Sequence, residues 1–204
     1  AAAPLRTRPI PHGTERLPVV GLGTAIVFDV GPNLQERAGC SAVVRALVAH
    51  GASLIDTAPS YGSAEEVVGA TLTDTGLRDK VFLATKLEHD SFGDQAAGLR
   101  GSLQRLHTDR VDLLQLHNVN DPDQDLGPLR DLKRQGSCRY TGITTTFGGA
   151  YGAAEAVIKR EKPDFLEIDY AIDNRDAAAR VIPAAADAGT AVLAALPFGR
   201  GRLF

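Results

Sequence analysis

The sequence predicts an α/β protein, a (β/α)8 barrel of the TIM-barrel type, with only about seven of the strands inside its 204 residues and the C-terminal part of the barrel missing. Three observations predict it. Short aliphatic or β-branched runs alternate with longer helix-like segments, as in repeated βα units around a parallel sheet. The runs recur roughly every 25 to 35 residues, the length a βα unit demands. Finally, a doubly wound sheet has about five or six strands and a glycine-rich first turn, whereas Gly21-Leu22-Gly23-Thr24 lacks the third glycine and the later acidic residue of that fingerprint.

Taken in order, residues 8–16, with Pro9, Pro11 and Gly13, read as a short strand and turn, a hairpin capping the barrel floor. Strands are then expected at 19–22, 53–56, 81–86, 111–117, 139–143, 165–170 and 190–196. Helices are expected at 35–50, 64–75, 95–107, 126–135, 150–159 and 175–188. Gly51, Gly76, Gly136 and Gly189 stand just past four of these helices, where a left-handed residue ends the turn. Residues 1–16 are therefore a tail and possible barrel-floor hairpin, and 17–204 the barrel, incomplete at its C-terminus.

Composition narrows the function. A content of 44% hydrophobic and 23% charged residues is that of a globular domain able to bury a core. The net charge of −3 gives no basic footprint for a phosphate backbone, so nucleic acid is not expected as a partner. No apolar run approaches the ~18 residues of a membrane span. Cys40 and Cys138 form no CxxC pair and indicate neither a disulfide framework nor a zinc site. There is no methionine, and the opening Ala1-Ala2-Ala3-Pro4 reads either as the stub of an A-x-A cleavage, meaning export, or as a disordered tail of a cytoplasmic protein.

A β/α barrel builds its active site at the C-terminal ends of its strands. Asp56 ends the second predicted strand, Tyr61 follows in the next loop, Lys86 ends the third and His117 ends the fourth. Singly, each has a plain reading: a turn carboxylate, a packed aromatic, a solvated lysine, a surface histidine. Together they suit carbonyl reduction by hydride. A proton donor must meet the developing alkoxide, and a phenol with an ordinary pKa near 10 is sluggish at neutral pH. Lys86 beside Tyr61 would favour the phenolate and lower that pKa, Asp56 would hold the ammonium, and His117 would donate to the carbonyl oxygen.

The run from Gly51 through Ile55-Asp56-Thr57-Ala58 to Tyr61-Gly62, followed by Glu65 and Gly69, resembles the signature of the aldo-keto reductase family. The strand ending at Lys86 and the run Asp112-Leu113-Leu114-Gln115-Leu116-His117 resemble that family's lysine and histidine strands, and the likeness runs from about Leu17 to the last residue. The resemblance implies an NAD(P)H-dependent oxidoreductase acting on a small carbonyl substrate, with NADP more expected than NAD. It places Gly23 and Thr24 after the first strand in cofactor binding. Thr144 and Thr145 take the place of the family's Ser-Asn, Glu167 that of its glutamine, and Pro197, Phe198, Gly199, Gly201 and Arg202 lie in its phosphate loop. Three departures bear on nicotinamide binding: hydroxyls replace an amide, Glu167 can accept but, when ionised, cannot donate, and Ala195 stands where a stacking tyrosine is common. The resemblance also implies a further helix, strand and helix beyond Phe204, with the residues that recognise the adenosine 2′-phosphate.

Other chemistries fit less well. A Schiff-base aldolase would use Lys86 without needing Tyr61 and Asp56. A metal-dependent hydrolase is disfavoured because His12, His50, His89, His107 and His117 form no HxH or HxxxH pair. A cofactor-binding regulatory protein with weak or no turnover is the remaining alternative, motivated by Ala195 and Glu167.

Overall fold

The computed structural model describes residues 4–88 and 94–204, so the alanines of the tail and His89 lie outside the described residues. An antiparallel pair, β1 (Thr7–Pro9) and β2 (Arg16–Pro18), precedes the main sheet. The sheet has seven parallel strands in sequential order: β3 (Gly21–Gly23), β4 (Leu54–Asp56), β5 (Phe82–Leu87), β6 (Val111–Leu116), β7 (Cys138–Thr145), β8 (Phe165–Asp169) and β9 (Ala191–Ala195). Each strand pairs with its sequence neighbour. With helices between, this is a partial (β/α)8 barrel.

Among the described residues, six α-helices alternate with the strands: α1 (Leu34–Ala49), α2 (Ala64–Thr75), α3 (Gln95–Arg105), α4 (Gly127–Arg134), α5 (Tyr151–Glu161) and α6 (Val181–Ala188). Local chemistry sets their ends. Asn33 caps α1 by accepting from the Gln35 and Glu36 amides, and Asp94 caps α3 through Ala97. Gly76 and Gly189 take the left-handed conformation at the ends of α2 and α6.

Most elements differ from the sequence reading by a residue or two at their ends, and two of the differences bear on the fold. The first barrel strand starts at Gly21 rather than Val19, because Val19 still bonds back to Arg6 as an extension of the hairpin and both Val19 and Val20 stay exposed. The helix expected over 175–188 splits into a 3₁₀ turn (Asp176–Ala179) and α6, with Arg180 breaking the path. Pro183 explains it: without an N–H, and with a ring that crowds the carbonyl four residues back, it is tolerated only in a helix's first turn.

The alternation of side chains along parallel strands makes two cores. A large one lies between sheet and helices, with Ile55, Leu83, Leu114, Ile143 and Leu166 facing α-helical partners such as Val68 and Val157. A smaller one fills the barrel, where Leu54, Phe82, Ala84, Leu113 and Phe165 meet Ile10 and Leu17 of the hairpin. The hairpin thus closes the N-terminal end of the barrel. Glu15 anchors it, accepting from the Tyr140 hydroxyl at 2.6 Å and from Arg139 at 2.7 and 3.0 Å. The opposite end of the barrel is left to polar residues.

Candidate active site

The inner face turns polar one step above the apolar layer. Asp56 lies opposite Ala84, Lys86 opposite Gln115, Gln115 opposite Gly142, and Thr144 opposite Glu167. Gly142 is needed there: a Cβ at this position would sit 3.0 Å from the Phe165 carbonyl and 3.1 Å from the Gln115 side chain. Removing that side chain leaves Gln115 room to reach across the barrel.

Lys86 is the centre of the cluster. Its side chain is almost wholly buried, and its ammonium donates to Asp56 Oδ2 at 2.5 Å and to the Thr57 carbonyl at 3.1 Å. It also lies 3.3 Å from Glu167 Oε2 and 5.1 Å from the centre of the Tyr61 ring. The His117 ring meets Tyr61 edge-on at 5.8 Å. Asp56, Tyr61, Lys86 and His117 are therefore brought together by β4, the loop after it, β5 and the residue after β6.

Two members were not singled out in the sequence. Gln115 Nε2 bridges the carboxylates, donating to Glu167 at 3.0 Å and reaching Asp56 at 3.4 Å. Glu88 accepts from His117 Nδ1 at 2.8 Å and from the Ser60 hydroxyl at 2.6 Å. Gln115 was legible in principle, since it stands two residues before His117 on the same strand face. Glu88 follows the end of its strand, where no periodicity applies. Glu167, expected against the cofactor, belongs to the Lys86 network.

Electrostatics follow from burial and charge. Burial raises the Asp56 carboxyl, Glu167 raises it further, and Lys86 only partly opposes them, leaving it at about 7. For Lys86, burial works against the ammonium, but Asp56 and Glu167 overcome it and hold the pKa above its ordinary value. Tyr61 goes the other way from the sequence reading: burial outweighs the help of Lys86 and pushes the phenol up to about 12. Burial would also raise Glu88, but hydrogen bonds from His117 and Ser60 hold it at about 2. A carboxylate that only accepts requires the hydrogen of His117 on Nδ1.

The remaining sequence candidates are spread over the mouth and its loops. Nothing lies within 4 Å of where a Cβ of Gly23 would be, while the buried Thr24 hydroxyl donates to the Asp56 carbonyl at 3.0 Å. Thr144 accepts from the Asn118 amide at 2.9 Å and keeps its own hydrogen for donation. Thr145, opposite Ile168, faces the helix layer by alternation, and its buried hydroxyl has no partner among the described residues. From 196 to 202 the backbone carries positive φ at Leu196, Gly199, Arg200 and Gly201. Arg202 folds across this loop to Asp173 at 2.7 Å, close enough that a Cβ on Gly199 would stand 2.8 Å from its guanidinium. Among the described residues, no group of three or more His, Cys, Asp or Glu could hold a metal ion, and no helix is long and apolar enough to cross a membrane.

Fold and cluster together define a β/α-barrel protein with a tyrosine, a buried lysine–aspartate pair and a histidine at the C-terminal rim. Residues 19–204 match the family model described as "Aldo/keto reductase family", and the chain belongs to that family. It is 30% identical over 98% of its length to aldo-keto reductase str7 of Strobilurus tenacellus, spanning 63% of that protein. It is 38% identical over 65% of its length to methylglyoxal reductase YeaE of Escherichia coli, spanning 47% of it. An aldo-keto reductase from Klebsiella pneumoniae, solved in complex with NADPH, superposes with a TM-score of 0.78 at 28% identity, over 92% of this chain and 67% of that one.

Proposed function

We propose that residues 17–204 form the reductase barrel, with 1–16 as its tail and floor hairpin, of an enzyme that reduces a small aldehyde or ketone to an alcohol. Tyr61 is the proton donor and NADPH the cofactor. The observation that carries the reading is the Lys86 ammonium held at 2.5 Å by Asp56 and 5.1 Å from the Tyr61 ring, beside His117. Family membership and the NADPH bound by the Klebsiella relative support the cofactor.

The donor set of the mouth fits a nicotinamide carboxamide, which offers one acceptor and two N–H donors: Thr144 can donate and Glu167 can accept. Glycines and left-handed backbone from 196 to 202 suit a phosphate, with Gly23 leaving open space beside the mouth. The reduced nicotinamide, when bound, supplies the hydride.

Everything else is done by the chain. A Tyr61 phenol at about 12 stays protonated at neutral pH and is still far more acidic than an alkoxide's conjugate acid, so proton transfer to the substrate oxygen runs downhill. Lys86 favours the phenolate left behind. His117, with Nδ1–H committed to Glu88, can donate from Nε2 to the substrate oxygen only in its imidazolium form. Ser60 gives its hydrogen to Glu88 rather than to the imidazole, so it is not an activated nucleophile.

The test is Tyr61→Phe, followed by NADPH oxidation with a simple aldehyde. Turnover is expected to fall by roughly 10² to 10⁴, with NADPH affinity retained. Near-normal turnover would remove Tyr61 from the mechanism, and NADPH binding without turnover in the unmodified protein would favour a regulatory binding role instead.

A further inference from the structure

Two carboxylates face one ammonium inside this barrel. Asp56 holds Lys86 at 2.5 Å and Glu167 stands 3.3 Å away, with the neutral Gln115 amide tying the acids together. With both acids ionised, the cluster has one more negative than positive charge. Asp169, two residues beyond Glu167 on the same strand face, adds another carboxylate, satisfied by the Tyr151 hydroxyl at 2.7 Å and the Asn174 amide at 2.6 Å. Glu167 is also the neighbour of Thr144, the pair that fits a carboxamide.

On the reading of this site as a nicotinamide site, we infer that Glu167 makes it discriminate between the oxidation states of the cofactor, taking the cationic oxidised ring in preference to the neutral reduced one. The physical reason is charge. The oxidised and reduced cofactors carry the same phosphates and the same adenosine, and differ in the positive charge of the nicotinamide ring. The cluster's one excess negative charge, beside the carboxamide, attracts that positive charge and has nothing to gain from the neutral ring. At the effective dielectric of a protein site, one unit charge acting on another over several ångströms changes an affinity on the order of tenfold or more. A glutamine at this position could bond the carboxamide but would be indifferent to the ring's charge.

The cluster's proton load sets when the preference operates. Asp56 is pushed up to about 7 by burial and by Glu167, so near neutrality the cluster can take a proton and lose its excess charge. The other groups beside it are the Lys86 ammonium, the Tyr61 phenol and the His117–Glu88 pair, while Asp169, further along β8, is bound to Tyr151 and Asn174. Of these, Lys86 stays charged and Tyr61 neutral up to about pH 8.5. The preference for the oxidised ring should therefore grow as pH rises through Asp56.

The experiment titrates the full natural polypeptide with NADP⁺ and with NADPH by calorimetry at about pH 8.5 and about pH 6. At the higher pH, NADP⁺ is expected to bind on the order of tenfold tighter than NADPH, with the ratio shrinking at the lower pH. Glu167→Gln should bring the ratio close to one at both, and Glu167→Asp, which keeps the charge, should preserve most of the bias. Equal affinities in the unmodified protein would overturn the inference, as would a ratio flat with pH or one that Glu167→Gln leaves unchanged. Loss of the ratio in Glu167→Asp as fully as in Glu167→Gln would overturn it too, by assigning the effect to packing. The pH comparison needs no variant, so the outcome stands even if a substituted protein does not fold. Failure of both cofactors to bind would instead sink the proposed function, and this inference with it.

Discussion

At the scale of single residues, the site is governed by how few charges are compensated inside a small volume. Lys86 remains an ammonium despite near-complete burial because two carboxylates face it, and Asp56 is raised because it is buried beside a second acid. Glu88 is the opposite case. Its carboxyl is held at about 2 against an ordinary 4.5, so its hydrogen bonds to His117 and Ser60 favour the folded state fully above pH 4.5 and lose that contribution as pH falls towards 2. Glu88→Gln should therefore flatten the acid limb of stability over that window. Urea denaturation across a pH series checks this, and an acid limb as steep in the variant as in the parent would show that the carboxylate does not act there.

At the scale of elements, several residues of the runs that resemble the family's signature and strands prove to be joints. Glu65 is buried on α2, accepting from the Thr85 hydroxyl at 2.6 Å and from Arg105 at 2.7 Å, so it links α2, β5 and α3. Asp112 accepts from the Leu83 amide at 2.7 Å and binds Arg139 and Arg78, tying β6 to its neighbours. Gly69 is where α2 meets the end of α3: a Cβ there would sit 2.3 Å from the Arg105 carbonyl. In an isolated helix, glycine to alanine would favour the helix by up to ~1 kcal/mol. Here the clash is with backbone that cannot step aside, so Gly69→Ala should destabilise by roughly 1–3 kcal/mol, the usual range for overpacking. A higher denaturation midpoint for the variant would refute that account of the glycine.

At the scale of the whole molecule, the barrel separates stability at one end from chemistry at the other. The hairpin inserts Ile10 and Leu17 beneath Phe82, Leu113 and Phe165, while the charged cluster occupies the opposite rim. Ile10→Ala should cost roughly 2–5 kcal/mol of stability, the range for truncating a buried aliphatic side chain. It should leave cofactor affinity unchanged below the unfolding transition. Thermal melting paired with NADPH titration tests both halves, and a parallel loss of affinity would mean that the floor and the rim are coupled.

What the sequence determined by itself is the order of the seven strands and the four residues Asp56, Tyr61, Lys86 and His117 at their ends. Both depend on local signals: aliphatic runs, terminal glycines, and side chains placed by strand alternation. What only the tertiary structure decided is everything that depends on distance across the barrel. Gln115 and Glu167 are 52 positions apart in the chain and 3.0 Å apart in space. Glu88 reaches His117 across 29 positions. The direction of the Tyr61 shift is decided at the same scale: the ammonium is legible from spacing, but the burial that outweighs it arises from the packing of strands and loops around the phenol. Local pattern names the groups, and desolvation, a property of the closed volume, sets their charges.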